Sequence, residues 1–217
     1  MGGEMVSRPA RDLERQDPEA ERLAMLLSGL LKQKFQKYVI VTHQFRGDDT
    51  VILKREGLLE AARFLKENSA AVCNFLMDLS CVDYLTFEKS SQSAPSTATP
   101  SPLPFFMKPK PDPKGENWSR MGVESRFEVV YHFYSSTLNH RLRIKVPVDE
   151  TDPVIDSLVA FWASANWFER EIWDMFGVIF RGHPGLKRIL MYEEFVGHPI
   201  RKDYPVYKRQ PRVGPVN

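Results

Sequence analysis

Residues 166–205 of this chain read NWFEREIWDMFGVIFRGHPGLKRILMYEEFVGHPIRKDYP. An aromatic-rich segment with a charged triplet at 169–171 comes first, and two Gly-His-Pro tripeptides centred on His183 and His198 follow it. A basic, proline-punctuated tail then begins at 201–205. Because the residues upstream have the patterns of an ordinary small domain, the function of the chain has to be sought in this stretch.

The first part of this stretch has the pattern of a helix. Asn166 is placed as its N-cap with Glu169 at the third position, as in a capping box, and Gly177 is placed to end it. The residues predicted to form an apolar stripe are Phe168, Ile172, Met175 and Phe176. The residues predicted to form a second face are Trp167, Arg170, Glu171 and Asp174. This spacing predicts an ion pair between Arg170 and Asp174 and a helix that packs on two sides.

Length and composition restrict the class of protein to which the chain can belong. Its 217 residues, of which 42% are hydrophobic, can bury a core, and no apolar run approaches the ~20 residues that span a bilayer. The residues before the apolar run at 23–31 include many acids, unlike the basic leader of a signal or transit peptide. We therefore expect a cytoplasmic protein that is not an integral membrane protein.

Charge is distributed unevenly along the chain. The net charge is +2, but residues 181–217 contain eight basic and three acidic residues, a net of +5, which leaves −3 for the rest. This segment has tyrosines at 204 and 207 that would fit a nucleic-acid-binding arm, but its prolines at 199, 205, 211 and 215 favour an extended peptide that lies along a protein partner.

The chain is therefore predicted to have three parts. Residues 1–16 form a disordered N-terminal extension, and residues 17–180 form a domain with a Ser/Pro-rich insertion at 88–122. Residues 181–217, which we call the arm, form an extended basic C-terminal segment that docks on a partner.

Hydrophobic periodicity predicts the elements of the domain. Helices are predicted at 17–35, at 56–68 and from Asp152-Pro153 toward Trp162, and strands at 38–45, 50–54, 74–87, 126–134 and 140–148. These elements predict an α+β fold with a mixed or antiparallel sheet of about five strands, helices packed on one side, and an irregular arm.

A metal site is the first chemical alternative. His183 and His198, with Glu169, Glu171 and Asp174 nearby, have the right residue types, but zinc-binding helices place two histidines four residues apart, and that spacing is missing. Each histidine lies between Gly and Pro, where its ring is suited to hold a loop by hydrogen bonds. We interpret the histidines as loop clips and keep a metal-dependent enzyme as an alternative.

Other residues give weaker indications of chemistry. Asp78 and Asp83 lie five apart in a predicted strand, on opposite faces, so we interpret them as exposed or capping acids. Cys73 and Cys81 are two thiols, too few for the four ligands of an iron–sulfur centre, and are interpreted as buried free cysteines. The sequence has no nucleophile elbow and no glycine-rich phosphate or dinucleotide loop.

Residues 169–190, EREIWDMFGVIFRGHPGLKRIL, resemble the signature of the 30 kDa subunit family of respiratory complex I. The segment FVGHPIRKDYP at 195–205 resembles the next block of that family. FLMDL at 75–79, VDY at 82–84 and FEVVY at 127–131 are similar to its earlier blocks. The resemblance covers roughly residues 20–87 and 124–208; the N-terminal extension and the insertion depart from it.

This resemblance implies a core structural subunit of the peripheral, quinone-reducing arm of the proton-translocating NADH:quinone oxidoreductase. It implies no flavin, iron–sulfur cluster or quinone in this chain, and no catalytic residue. The implied partners are the 49 kDa-like subunit of that complex and other peripheral-arm subunits. The implied location is the cytoplasmic face of the bacterial inner membrane, peripheral and through the complex alone.

The resemblance and the pattern together predict a partner interface rather than an active site. Its predicted residues are Trp167, Arg170, Glu171, Asp174, His183, His198, Arg201, Lys202, Asp203 and Tyr204. Three alternatives are kept: the equivalent subunit of a ferredoxin- or F420H2-linked or hydrogenase complex, a metal-dependent enzyme that uses His183 and His198, and a nucleic-acid-binding protein.

Overall fold

A computed structural model of the chain describes residues 27–45, 47–85, 125–207 and 209–210. The predicted N-terminal extension, the start of the first predicted helix and the predicted insertion at 88–122 lie outside the described residues.

Seven strands form two sheets in the described part of the chain. The strands are β1 (Val39–Phe45), β2 (Asp48–Leu53), β3 (Phe75–Asp83), β4 (Phe127–Ser135), β5 (His140–Val148), β6 (Val154–Asp156) and β7 (Ile179–Arg181). The first five form one sheet in the order β1-β2-β5-β4-β3, in which β2 and β5 are parallel and the other three pairs are antiparallel. β6 and β7 form a small parallel pair.

Within the described residues, three α-helices accompany these sheets. Residues 27–34 form α1. A 3-10 turn at Arg55–Gly57 leads into α2 (Leu58–Glu67), and α3 spans Ala165–Phe176.

The core lies on one face of the five-stranded sheet. Alternation along β4 directs Phe127, Val129, Tyr131 and Phe133 to this face, as the sequence predicts, and all four are buried. The buried residues that the helices contribute to the same core include Leu27, Leu31, Leu58, Leu65 and Ile172. The predicted α+β fold, with a mixed five-stranded sheet and helices on one side, is therefore confirmed.

The strands predicted at 38–45 and 50–54 form one hairpin, and those predicted at 126–134 and 140–148 form another. β1 and β2 are joined at Gly47, whose φ of 87° suits a tight turn that most side chains would strain. β4 and β5 pair along their whole length, from Phe127 opposite Val148 to Ser135 opposite His140. The helix predicted at 56–68 is confirmed as the 3-10 turn followed by α2.

The helix predicted from Asp152-Pro153 toward Trp162 is wrong. Residues 154–156 are extended and pair with β7, which comes from the other end of α3. Arg55 also donates to the carbonyl oxygens of Asp152 at 3.1 Å and Val154 at 3.2 Å. Local sequence favours a helix start here, but partners about 25 and 100 residues away hold the segment extended.

The two cysteines are buried and free, as predicted. Burial raises the pKa of the Cys73 thiol to about 12 and raises that of Cys81 as well. Because the thiolate is the reactive form, both are unreactive core side chains at neutral pH.

Trp162 joins the α3 side of the core to the sheet, which makes its truncation a test of the fold. Its indole N–H donates to the Cys73 carbonyl at 3.0 Å, and its ring lies 4.9 Å from that of Phe133. We expect Trp162→Ala to lower the free energy of unfolding in urea by about 3–5 kcal/mol, because it leaves a cavity. Trp167→Ala, at a side chain that is 65% exposed, should change it by less than about 0.5 kcal/mol. Equal losses in the two variants would contradict this core.

Candidate partner-docking surface

Helix α3 departs from the sequence prediction at its start and agrees with it at its end. It begins at Ala165, and no side-chain hydrogen bond caps its first turn, so the predicted capping box of Asn166 and Glu169 is wrong. Glu169 is instead buried and accepts hydrogen bonds from Ser157 and Leu158, which precede the helix. The predicted end at Gly177 is confirmed, with a left-handed φ of 77°.

Asp174 of α3 fixes the start of the arm to the body. It is fully buried, and its Oδ2 atom accepts three consecutive backbone N–H groups, from Ile189 at 3.0 Å, Leu190 at 2.9 Å and Met191 at 2.9 Å. Its Oδ1 atom pairs with the Arg188 guanidinium at 2.5 Å. We call Asp174, Arg188 and these three amides the Asp174 anchor.

The electrostatics of the Asp174 anchor favour the ionised carboxylate. Burial by itself opposes ionisation, but the three backbone donors and Arg188 outweigh it, so the pKa of Asp174 lies below its ordinary value. The carboxylate therefore keeps its charge, and with it the strength of these hydrogen bonds, at neutral pH.

The predicted ion pair between Arg170 and Asp174 is wrong. Arg170 donates to the carbonyl oxygens of Lys187 and Arg188, both at 3.2 Å, while Arg188 takes the place beside Asp174. The spacing along the helix is right for the predicted pair, but the arm offers the buried carboxylate a better set of donors.

Arg188 also connects distant parts of the arm. Its second terminal nitrogen donates to the carbonyl oxygens of Phe195 at 2.8 Å and Gly197 at 3.2 Å. The same guanidinium lies over the Phe195 ring, 5.6 Å from its centre. One side chain thus ties residues 195–197 to α3.

Both Gly-His-Pro histidines hold loops by hydrogen bonds, as predicted. His183 accepts from the Gly185 N–H at its Nδ1 atom, 3.0 Å away, and its Nε2 atom lies 3.2 Å from the Asn166 carbonyl oxygen. The Nδ1 atom of His198 lies 3.0 Å from the Asp174 carbonyl oxygen. Among residues 27–45, 47–85, 125–207 and 209–210, no group of three or more His, Cys, Asp or Glu side chains is placed to hold a metal ion.

A second set of charges fastens the arm further along. Arg126, the residue before β4, pairs with Asp83 at 3.0 Å and with Asp203 of the arm at 2.6 Å. It also contacts Glu150, and the Lys202 backbone N–H donates to Asp83 at 2.9 Å. We call Arg126, Asp83 and Asp203 the Arg126 anchor.

The burial of Asp83 differs from the prediction of an exposed or capping acid. Asp78 is exposed as expected, but Asp83 is buried, although it also caps the Leu85 N–H at 3.0 Å. Burial opposes its ionisation, and the hydrogen bonds from Arg126, Lys202 and Leu85 outweigh that opposition, so its pKa is lowered. The alternation that buries Leu79 and Cys81 places Asp83 on the same face, and this period of two is the signal that could have found it.

Between the two anchors, aromatic and amide contacts cross-link the arm. The Phe195 and Tyr204 rings stack 5.9 Å apart. The Gln210 side-chain amide pairs with Val196, accepting from its N–H and donating to its carbonyl, both at 3.1 Å. The predicted irregular arm is confirmed for its described part.

The surface that these contacts support is rich in exposed apolar side chains. They are Trp167, Leu190, Val196, Ile200, Val206 and Tyr207, each between 49% and 96% exposed. Of the predicted interface residues, Trp167, Glu171, Lys202 and Asp203 are exposed, Arg170, His183, His198, Arg201 and Tyr204 are half-buried, and Asp174 is buried. We call these six residues, on the arm and on α3, the arm surface; several exposed apolar side chains on neighbouring segments are typical of a protein-binding site.

The described residues include no helix that is both long and apolar enough to cross a lipid bilayer.

Gly177 gives a test of how the arm is seated. A Cβ atom there would lie 2.5 Å from Nε2 of His198 and 2.7 Å from Arg201, at a left-handed φ. We expect Gly177→Ala to lower the free energy of unfolding by at least about 1–2 kcal/mol and to speed tryptic cleavage within the arm. Gly185→Ala, where the new Cβ meets nothing within 4 Å, should behave like the unsubstituted chain. If the two variants cannot be told apart, the close contact at Gly177 does not exist.

Comparison with protein families gives a match over most of the chain. Residues 51–210 match the family described as "Respiratory-chain NADH dehydrogenase, 30 Kd subunit". An NADH-quinone oxidoreductase subunit of Geotalea uraniireducens (strain Rf4) is 37% identical over 176 residues, which cover 81% of this chain and 84% of that protein. The protein of the same name from Roseiflexus sp. (strain RS-1) is 39% identical over 168 residues, or 77% and 76% of the two chains.

Solved structures give a matching fold. A trypsin-resistant fragment (1-134) of Nqo5 superimposes with a TM-score of 0.51 and 29% identity, over 74% of this chain and 98% of the fragment. A chain of an archaeal membrane-bound sulfane sulfur reductase, with a TM-score of 0.52 and 19% identity over 82% and 85% of the two chains, shares the fold. The chain therefore belongs to the 30 kDa subunit family of respiratory-chain NADH dehydrogenase.

Proposed function

We propose that the chain acts as a structural subunit of the peripheral, quinone-reducing arm of an NADH:quinone oxidoreductase. The family match and the NADH-quinone oxidoreductase relatives support membership in that complex rather than in a ferredoxin- or F420H2-linked or hydrogenase complex. In this role the chain supports electron transfer from NADH to quinone, coupled to proton translocation, by holding its neighbours in place.

No residue of this chain is assigned a catalytic role. The buried acidic groups of the candidate site are engaged in holding the arm: Asp174 by Arg188 and three amides, and Asp83 by Arg126. Both ring nitrogens of His183 are engaged by backbone groups, and both cysteines are buried thiols. These contacts support a subunit without a cofactor of its own, whose redox groups lie in partner chains.

The proposed partner is the 49 kDa-like subunit of the complex, and the arm surface is the proposed contact. The two anchors hold the arm in one shape before any partner binds, so little conformational entropy remains to be lost on binding. The apolar side chains of the arm surface stand beside charged residues such as Glu171 and Lys202, as in an interface with an apolar centre and a polar rim. Anchored backbone beneath exposed apolar side chains is the observation that carries the proposal.

The proposed location is the cytoplasmic face of the bacterial inner membrane, where the chain is held peripherally through the complex. Membership in a respiratory complex supports it, together with the lack of a bilayer-spanning helix among the described residues.

Substitutions on the arm surface test the proposed contact. Ile200→Asp combined with Val206→Asp places two charges where the side chains are 49% and 89% exposed, so the chain should fold normally. Because each buried apolar side chain contributes about 1.5–3 kcal/mol, we expect the co-expressed 49 kDa-like subunit to co-purify at least about tenfold less.

The control is Leu59→Asp, which places a charge at an apolar residue of α2 that is 39% exposed and lies outside the arm. With this variant the 49 kDa-like subunit should co-purify at the level found with the unsubstituted chain. Normal yield of that partner with the double variant would show that the arm surface is not the contact.

A further inference from the structure

Glu169 lies in the contact between α3 and the segment that follows β6, and it is fully buried. Its Oε2 atom accepts from the Ser157 hydroxyl at 2.6 Å, and its Oε1 atom accepts from the Leu158 N–H at 2.7 Å. The Val159 N–H donates in turn to Ser157 Oγ at 3.3 Å. The carboxyl group therefore seats the N-terminal half of α3 on residues 157–159.

Glu169 differs from the other buried acids that hold elements together. Asp174 has Arg188, Asp83 has Arg126, and Glu128 has Lys145 at 2.8 Å. Among the described residues, no Lys, Arg or His forms an ion pair with Glu169. A carboxylate at this position would thus be a buried charge supported by two neutral donors alone.

The elements packed around Glu169 offer it little compensation. β4 contributes Tyr131, which lies close enough to Glu169 for the two groups to interact electrostatically and whose hydroxyl is buried with no hydrogen-bond partner among the described residues. The Cys81 thiol of β3 lies near Tyr131 in turn. Burial first, and then the charges of Glu169 and other acids, raise the pKa of Tyr131, so its hydroxyl stays protonated. β6 carries Asp156, whose charge acts on Tyr131 and is paired with the exposed Arg181 of β7 at 2.7 Å.

The neighbours of Glu169 on its own helix do not supply a counter-charge either. Arg170 donates to backbone carbonyls of the arm, and Glu171 points to solvent. Asp174 is already paired with Arg188.

We propose that Glu169 is a proton-binding site built into the fold. With a proton bound, the neutral carboxyl group fits its apolar surroundings, and α3 is firmly seated on residues 157–159. When the proton leaves, the uncompensated charge draws water into this contact and loosens the seat. Because α3 also carries Asp174, the protonation state of Glu169 then governs how firmly the Asp174 anchor is held. This role of Glu169 depends on the geometry of α3 and not on which partner the arm binds.

The direction of the pH effect follows from the burial of Glu169. Burial raises the pKa of Glu169 from 4.5 to about 7, and the hydrogen bonds from Ser157 and Leu158 offset only part of this rise. A carboxyl group whose pKa is higher in the folded than in the unfolded chain stabilises the folded chain fully below pH 4.5. This contribution to the free energy of unfolding is lost as pH rises to about 7. Within that window this one group raises the unfolding constant by up to about tenfold per pH unit.

The experiment compares the full chain with Glu169→Gln, which keeps the shape and removes the titration. Urea unfolding is measured from pH 5 to pH 8. We expect Glu169→Gln to gain stability relative to the unsubstituted chain as pH rises, by at least tenfold in the unfolding constant between pH 5 and pH 8. The control is Glu171→Gln, at an exposed acid of the same helix, which should leave the pH profile unchanged.

A second measurement follows the proton without a substitution. The ¹³Cδ chemical shift of Glu169 in the labelled, folded chain should titrate near pH 7, and the protection of the Leu158 amide, corrected for intrinsic exchange, should fall over the same range. A carboxyl group that titrates near its ordinary value, or a Glu169→Gln variant with the pH profile of the unsubstituted chain, would overturn the proposal. Should Glu169→Gln fail to fold, the chemical-shift titration decides by itself.

Discussion

The buried carboxylate of Asp174 is the interaction on which the arrangement of the arm depends. The arm has no helix or strand ladder to satisfy its backbone amides where it crosses α3, and unpaired buried N–H groups are rare in folded proteins. One oxygen of Asp174 satisfies three of these amides in succession, and the other holds Arg188, which in turn binds the carbonyls at 195–197. A single helix side chain thereby gives an irregular segment a defined path.

The Arg126 anchor extends that path to the edge strand of the sheet and completes the support of the arm surface. A buried ion pair such as Arg126–Asp83 adds little net stability, because desolvation offsets much of the attraction, but it selects one geometry. Such selection suits a member of a family whose relatives are named as subunits of an oxidoreductase. Glu169, by contrast, accepts hydrogen bonds but forms no ion pair among the described residues. Its contact with residues 157–159 is the part of the support of the arm that pH can alter.

Patterns that repeat within a few residues predicted much of this fold. The alternation at 127–133 predicted β4, the glycine at 177 predicted the end of α3, and the Gly-His-Pro tripeptides predicted two loop clips. Contacts between distant residues were missed: β6 depends on β7, Glu169 on a segment before the helix, and Asp174 on Arg188. In each case a tertiary partner outweighed a correct local spacing. The resemblance of residues 169–190 to a family signature supplied the functional class that spacing could not.

Native-state hydrogen exchange of the amides of Ile189, Leu190 and Met191 tests the Asp174 anchor most directly. These amides lie outside every helix and strand, so secondary structure gives no reason for them to be protected. Bound to one buried carboxylate, they should exchange within about tenfold of the amides of α3, while those of the exposed Glu193 and Glu194 exchange much faster. Exchange of all five amides at the rate of an unfolded peptide would contradict the Asp174 anchor and the arm surface that depends on it.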